Sequence, residues 1–169
     1  MSENKKSSVL LSIDPGNEMS AFVLVDMETY APLDHGKITN KRLLNALWTM
    51  DFQHAAIEQI ASYGMPVGRE VFETCKWIGR YTQVLECDLE TPPAEVWRRD
   101  EKLCLCGDSR AKDANIRMAL IERFAKHDLK AGKGTKAKPD WFYGFKADEW
   151  AAYAVAVTCL DTLKGKYVP

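Results

Sequence analysis

The chain is read as a single α/β domain on a five-stranded mixed sheet, three antiparallel strands followed by two parallel ones, flanked by helices. Three observations predict this. Short apolar runs at 8–13, 19–25 and 31–38 follow one another through tight polar turns, the pattern of an antiparallel meander. Two later apolar runs, 55–60 and 94–97, each follow a segment of helical periodicity, as parallel strands joined by crossover helices do. The chain then closes on an Ala-rich, strongly helical stretch over 146–158.

Residues 1–7 are polar and read as a disordered arm, with the domain over 8–163 and a tail over 164–169. Strand one ends at Asp14, where Pro15 and Gly16 turn the chain. Strand two turns through 26–29 into strand three, whose Pro32 suits a sheet edge. Thr39 or Asn40 then caps a helix carrying Leu43, Leu44, Leu47 and Trp48 at helical spacing. Strand 55–60 is expected beside strand one, which sets Glu58 next to Asp14 at mid-sheet.

A Gly/Pro loop over 61–68 presents Tyr63 and Met65, apolar side chains that are unusual on a loop unless they meet a partner. Tyr63 packing on the next helix is the alternative. That helix, 67–89, shows Val71, Phe72, Cys75, Ile78, Gly79, Thr82 and Leu85 on one stripe, with Trp77, Tyr81 and Val84 on its flank. Such an apolar face is wider than one sheet contact requires. It suggests a two-fold partner or, otherwise, a thick monomer core.

Pro92-Pro93 stops the helix before the fifth strand, and Ser109 is expected to start another with Lys112, Ile116, Leu120 and Phe124. The segment 128–145 reads as a flexible cationic loop with Lys133, Lys136 and Lys138, anchored by Trp141, Phe142 and Tyr143. Its Gly132-x-Gly134-Thr135-Lys136 lacks the spacing of a phosphate loop, and no strand precedes it.

Bulk properties narrow the function classes. No run is long and apolar enough to span a membrane, and no secretory signal opens the chain. A soluble, cytoplasmic protein is expected. Five cysteines, an odd number, argue against a disulfide framework and for a reducing compartment. Cys104-x-Cys106 lacks zinc-site spacing and is assigned to strand packing. The net charge of -1 hides an asymmetry: residues 97–146 hold thirteen Lys or Arg against seven Asp or Glu. A basic segment able to track phosphates therefore accompanies an acidic remainder able to collect divalent cations; a solvated face is the plainer account.

Four acids, at three places in the chain, are candidates for chemistry. Asp14 stands at a strand end where a cation can be held, although capping the turn would also explain it. Glu58 interrupts an apolar run, where a charge is costly unless paired or bound to metal. Asp148 and Glu149 open the Ala-rich helix, where a dipole or capping role is also ordinary.

Ile13-Asp14-Pro15-Gly16, then Ala56-Ile57-Glu58-Gln59, then an Asp opening an Ala-rich C-terminal helix, in that order, resemble the RuvC-type Holliday junction resolvases of the RNase H-like (retroviral integrase) superfamily. The resemblance runs over about 9–158. It implies an RNase H-like fold in which Asp14, Glu58 and Asp148 are catalytic and hold two Mg2+ ions, with Mn2+ substituting. Oxygen ligands and few His also favour these ions over zinc.

The resemblance also implies that Lys102 and Lys112 approach the scissile phosphate, Lys112 being better matched, within a basic segment that includes Arg98, Arg99 and Arg110. Tyr63 corresponds to an aromatic used against unstacked bases, although its register differs. A homodimer acting on branched DNA, above all four-way junctions, follows, with paired nicks as the outcome. The chain departs from the family at one place: a second acid usually lies three residues into the last helix, and here that position is Ala151. Glu149 is the substitute to consider, although neighbours on a helix point about 100° apart.

The departure and the small size fit a phage or mobile-element member. Other readings stay open: an RNase H-like nuclease acting on RNA/DNA hybrids or branched DNA, a catalytically inactive DNA-binding module, and an actin-like ATPase, which would need a second lobe.

Overall fold

The computed structural model describes residues 8–169; the arm expected at 1–7 lies outside the described residues. β1 (Val9–Asp14), β2 (Met19–Asp26) and β3 (Pro32–Thr39) form the antiparallel meander. β4 (His54–Gln59) pairs parallel with β1, and β5 (Ala94–Trp97) parallel with β4. The sheet order is β3-β2-β1-β4-β5, the five-stranded mixed sheet that the sequence predicts.

Side chains on a strand alternate between faces, and this separates two cores. Leu11 and Ile13 of β1, with Ala55 and Ile57 of β4, pack under α1 (Asn40–Ala46) and α2 (Arg69–Asp88). Leu10 and Ala56 face the opposite way, toward α5 (Glu149–Leu163). Asp14 shares the parity of Leu10 and Ser12, and Glu58 that of Ala56. Both carboxylates therefore leave the sheet on the α5 face.

α5 is buried from Glu149 to Asp161 except at Ala151. Its alanines let the helix backbone approach the sheet, and a helix apolar all round belongs in an interior. The acid that caps it is consequently mounted on the middle of the domain. At the same end of β1 as this acid, the β1–β2 turn is tied down by Asn40: its amide donates to the Gly16 carbonyl at 2.8 Å, and its Oδ1 accepts from Ser20 Oγ at 2.7 Å. A Cβ on Gly16 would sit 2.3 Å from the Met19 carbonyl oxygen, so only glycine fits this close turn.

Four expectations are corrected. A helix, α3 (Arg98–Cys106), follows β5 without a break, so Cys104 and Cys106 lie on a helix and not on a strand. α4 (Asp113–Phe124) starts four residues after Ser109, with Lys112 at its N-cap; the Lys112 N–H donates to Asn115 Oδ1 at 2.9 Å. On α2 the buried stripe is Thr74, Ile78, Tyr81 and Leu85, whereas Phe72, Cys75 and Gly79 face solvent. Tyr81 turns inward because its hydroxyl finds Ser20 Oγ at 3.2 Å, which satisfies the polar end of a buried ring.

The fourth correction concerns the cationic loop, which is held in place by its own carboxylates. Asp140 accepts the backbone N–H groups of Lys126, His127, Asp128 and Trp141 at 2.7–3.1 Å. Asp128 accepts those of Ala131, Lys133 and Gly134 at 2.9–3.1 Å. Phe142 is fully buried while Tyr143 is exposed. Among the described residues no helix is long and apolar enough to cross a membrane, and the five cysteines are free thiols.

Candidate active site

Asp14 and Glu58 leave adjacent strands of the β1–β4 pair on the same face, and each carboxyl senses the other. Burial, then the Glu58 charge and its hydrogen bond, then Asp148, push the Asp14 carboxyl up to about 9. Burial and the neighbouring Glu101 push Glu58 up to about 7. Two carboxylates this close cannot both ionise cheaply. At neutral pH they retain a proton between them unless a cation replaces it.

Asp148, the N-cap residue of α5, is half-buried and within electrostatic reach of Asp14. Its Oδ2 accepts from Lys37 Nζ, and both line a cavity of about 370 Å³ with Asp14, Gly16 and Asn17. The structure places Asp14 beside Glu58 and sets Asp148 across the cavity within electrostatic reach of Asp14. Glu149 goes elsewhere. Its Oε2 lies 2.7 Å from His35 Nδ1 and accepts the Lys146 N–H at 2.9 Å, so it closes the first turn of α5 against β3.

Two residues that sequence reasoning passed over belong to this centre. Lys37 comes from the edge strand β3. Glu101, on α3, is fully buried, and burial followed by the charges of Asp14 and Asp113 raises its carboxyl to about 8, with Arg98 opposing. Arg98 donates from Nη1 to Glu101 Oε2 at 2.5 Å and from Nη2 to Asp113. Burial alone would make it a weaker base; Glu101, Glu58 and Asp113 outweigh that and keep it charged. Arg98, expected on DNA, therefore stands among the acids.

The helical step offered one signal for the pair, since Arg98 and Glu101 are three apart and share a face once α3 is recognised. Among the described residues no three His, Cys, Asp or Glu side chains stand close enough to hold one ion as they are placed. Lys37 and Arg98 hold the carboxylates from opposite sides. The donor set still fits hard divalent cations: it is all oxygen, buried and short of positive charge.

Beside this centre a cleft of about 280 Å³ is lined by Tyr63, Arg98, Arg99, Lys102 and Ser109. Tyr63 is 64% exposed with its backbone at φ 46°, a left-handed conformation uncommon for a bulky residue. Met65 is also exposed. Arg110 is engaged by Asp108 at 3.3 Å. Lys112, Lys136 and Lys138 are exposed, Lys133 is half-buried, and none makes an ion pair among the described residues.

No family model and no curated protein matches the chain. Solved structures do. The Thermus thermophilus RuvC structure superposes with a TM-score of 0.67 over 93% of this chain and 96% of that one, at 15% identity.

The fold is that of RuvC.

T. thermophilus RuvC in complex with Holliday junction substrate matches equally, with a TM-score of 0.65 over 94% of this chain and 96% of that chain, at 14% identity. At such identity the likeness to RuvC is one of backbone, and the roles of side chains are argued from the geometry above.

Proposed function

We propose that the protein is a metal-dependent endodeoxyribonuclease that resolves four-way DNA junctions by paired nicks, acting as a homodimer. The observation that carries this reading is the Asp14–Glu58 pair on a RuvC fold: two partly buried carboxyl groups side by side on adjacent strands, with Asp148 across the cavity from Asp14. Asp14, Glu58 and Asp148 would hold Mg2+, with Mn2+ as substitute. Held by these three acids, such ions would supply an activated water for in-line attack on phosphorus and charge stabilisation for the departing 3′ oxygen, which would leave a 5′ phosphate.

The chain's own groups position the strand. Arg99 and Lys102 line the cleft beside the acids, where they meet phosphates, and Tyr63 at its rim stacks on an unpaired base. Lys112, at the start of α4, stands next in sequence to Asp113, which Arg98 ties to the centre; its ammonium offsets charge developing on the phosphate. Arg110, Lys133, Lys136 and Lys138 extend the basic surface for flanking duplex. Dimerisation is supported by the solvent-facing Phe72, Cys75 and Gly79 on α2.

Gel assays of four-way, three-way, hybrid and linear substrates with and without Mg2+ test the reading. Asp14→Asn should lower four-way cleavage by roughly 10³-fold or more while leaving junction affinity within a factor of two, as for a group on which the chemistry depends. Unchanged cutting refutes the metal-site assignment. Preferred cleavage of hybrids would transfer the activity to the RNase H class. Tyr63→Ala should weaken junction binding by about 1–3 kcal/mol, read by fluorescence anisotropy, without moving the melting temperature.

A second reading, a junction-binding module without nuclease activity, draws on Ala151 and on the hold that Lys37 has on Asp148. Binding without cutting in both Mg2+ and Mn2+ would favour it.

A further inference from the structure

The RuvC-like arrangement leaves α5 with one acid facing the cavity, because the position one turn past Asp148 is Ala151. Ala151 lines a second cavity of about 420 Å³ together with Asp148, Arg98 and Asp113. Glu101 stands behind Arg98, within electrostatic reach of Asp14 and Glu58. Its side chain has no exposure to solvent, and its Oε1 has no hydrogen-bond partner, although its Oε2 is held by Arg98.

A structural account makes Glu101 the anchor of Arg98 and nothing more. That account leaves two facts unexplained. Asp113 already accepts from the second nitrogen of Arg98, so the guanidinium is not short of an anion. And one guanidinium faces three carboxylates, the buried Glu101 and the partly buried Asp14 and Glu58, all of which sense its charge and one another. A buried carboxylate oxygen without a donor is unfavourable and is seldom retained without a reason. An excess of negative charge around one point is what a divalent cation relieves.

We infer that Glu101 is the fourth carboxylate of the metal centre, supplying from α3, through its unpartnered Oε1, the oxygen that Ala151 does not supply from α5. The inference rests on the metal-centre reading given above. Arg98 then holds the second oxygen of Glu101 and limits how the carboxylate turns.

The test is Mn2+ uptake by the full chain, followed by electron paramagnetic resonance and calorimetry with Mn2+ alone. Wild type is expected to take up two Mn2+ ions. Glu101→Gln should lose one of them or bind at least tenfold more weakly, and adding Ala151→Asp to that variant should restore uptake, which no purely structural role of Glu101 would produce. Unchanged stoichiometry and affinity in Glu101→Gln overturn the inference while the metal centre stands. Absence of Mn2+ uptake by wild type overturns both.

If Glu101→Gln unfolds because Arg98 is left unpaired, Arg98→Met is compared with Arg98→Met/Glu101→Gln, where neither partner is orphaned. The same tenfold loss on removing Glu101 is expected there, and equal Mn2+ binding by the two variants overturns the inference.

Discussion

Two sets of buried acids in this molecule are treated in opposite ways. Asp140 and Asp161 are surrounded by donors. Burial works against their charge, yet backbone N–H groups around Asp140, and Arg123 and Tyr30 around Asp161, pull both carboxyls below the usual range. Arg123 grips Asp161 at 2.6 and 2.8 Å, and the Tyr30 hydroxyl donates at 2.8 Å. Glu101 lies as deep, and Asp14 and Glu58 are partly buried; all three have too few donors, and their carboxyls are pushed up. The difference separates acids that hold the fold together from acids whose charge the polypeptide leaves largely unmatched, as the proposed metal centre would require. Burial alone does not make the distinction; the count of donors does.

Removing one acid from each set should therefore shift stability with opposite sign. The largest effect is expected from Asp161→Ala, which leaves the buried Tyr30 hydroxyl and the partly exposed Arg123 guanidinium without their acceptor and should cost roughly 2 kcal/mol, or about 4–8 °C in melting temperature at this chain length. Asp14→Asn should do the reverse. It removes a carboxyl that must take up a proton on folding at pH 8 and retains a side chain able to hydrogen-bond, so metal-free protein at pH 8 should melt a few degrees higher. A lower melting point for both variants would erase the contrast.

Titration sharpens it further. Asp14 rises from an ordinary value of 3.8 to about 9 in the folded state, so between those limits the native protein binds more protons than the unfolded chain. Stability then falls as pH climbs from about 4 to 9, and melting curves of wild type without metal should show that slope, flattened in Asp14→Asn. The smallest effect is that of the cation. Mg2+ at a concentration near its Kd should stabilise wild type by about 0.4 kcal/mol, roughly 1 °C, and leave the Asp14→Asn variant unmoved.

Much of the frame was legible in the chain because local patterns and tertiary structure agree. The meander, the parallel pair and the Ala-rich helix each carry their period openly, and strand parity alone sends Asp14 and Glu58 to one face. Glu101 was not legible for a physical reason. It sits in Arg98-Arg99-Asp100-Glu101-Lys102, a run of charge that resembles a solvated turn, and β5 passes into α3 without a capping side chain to mark the start. Only the packing of α3 on α4 and α5 reveals that one charge in the run is interior.

Lys37 was hidden differently, since a lysine on an edge strand is the ordinary device against edge-to-edge pairing. The loop misled through composition. Its lysines and glycines look mobile, and the two aspartates that fix it are separated in sequence by eleven residues. On α2, a hydroxyl partner for Tyr81 rotated the helix away from the stripe that hydropathy alone selects.

The aspartate-pinned loop has one more consequence if duplex arms lie across it. A basic segment already shaped before DNA arrives gives up little chain entropy on contact, so its contribution to affinity comes chiefly from counterion release. Junction binding should then weaken steeply and linearly in log salt, with little of the heat-capacity change that accompanies folding on contact.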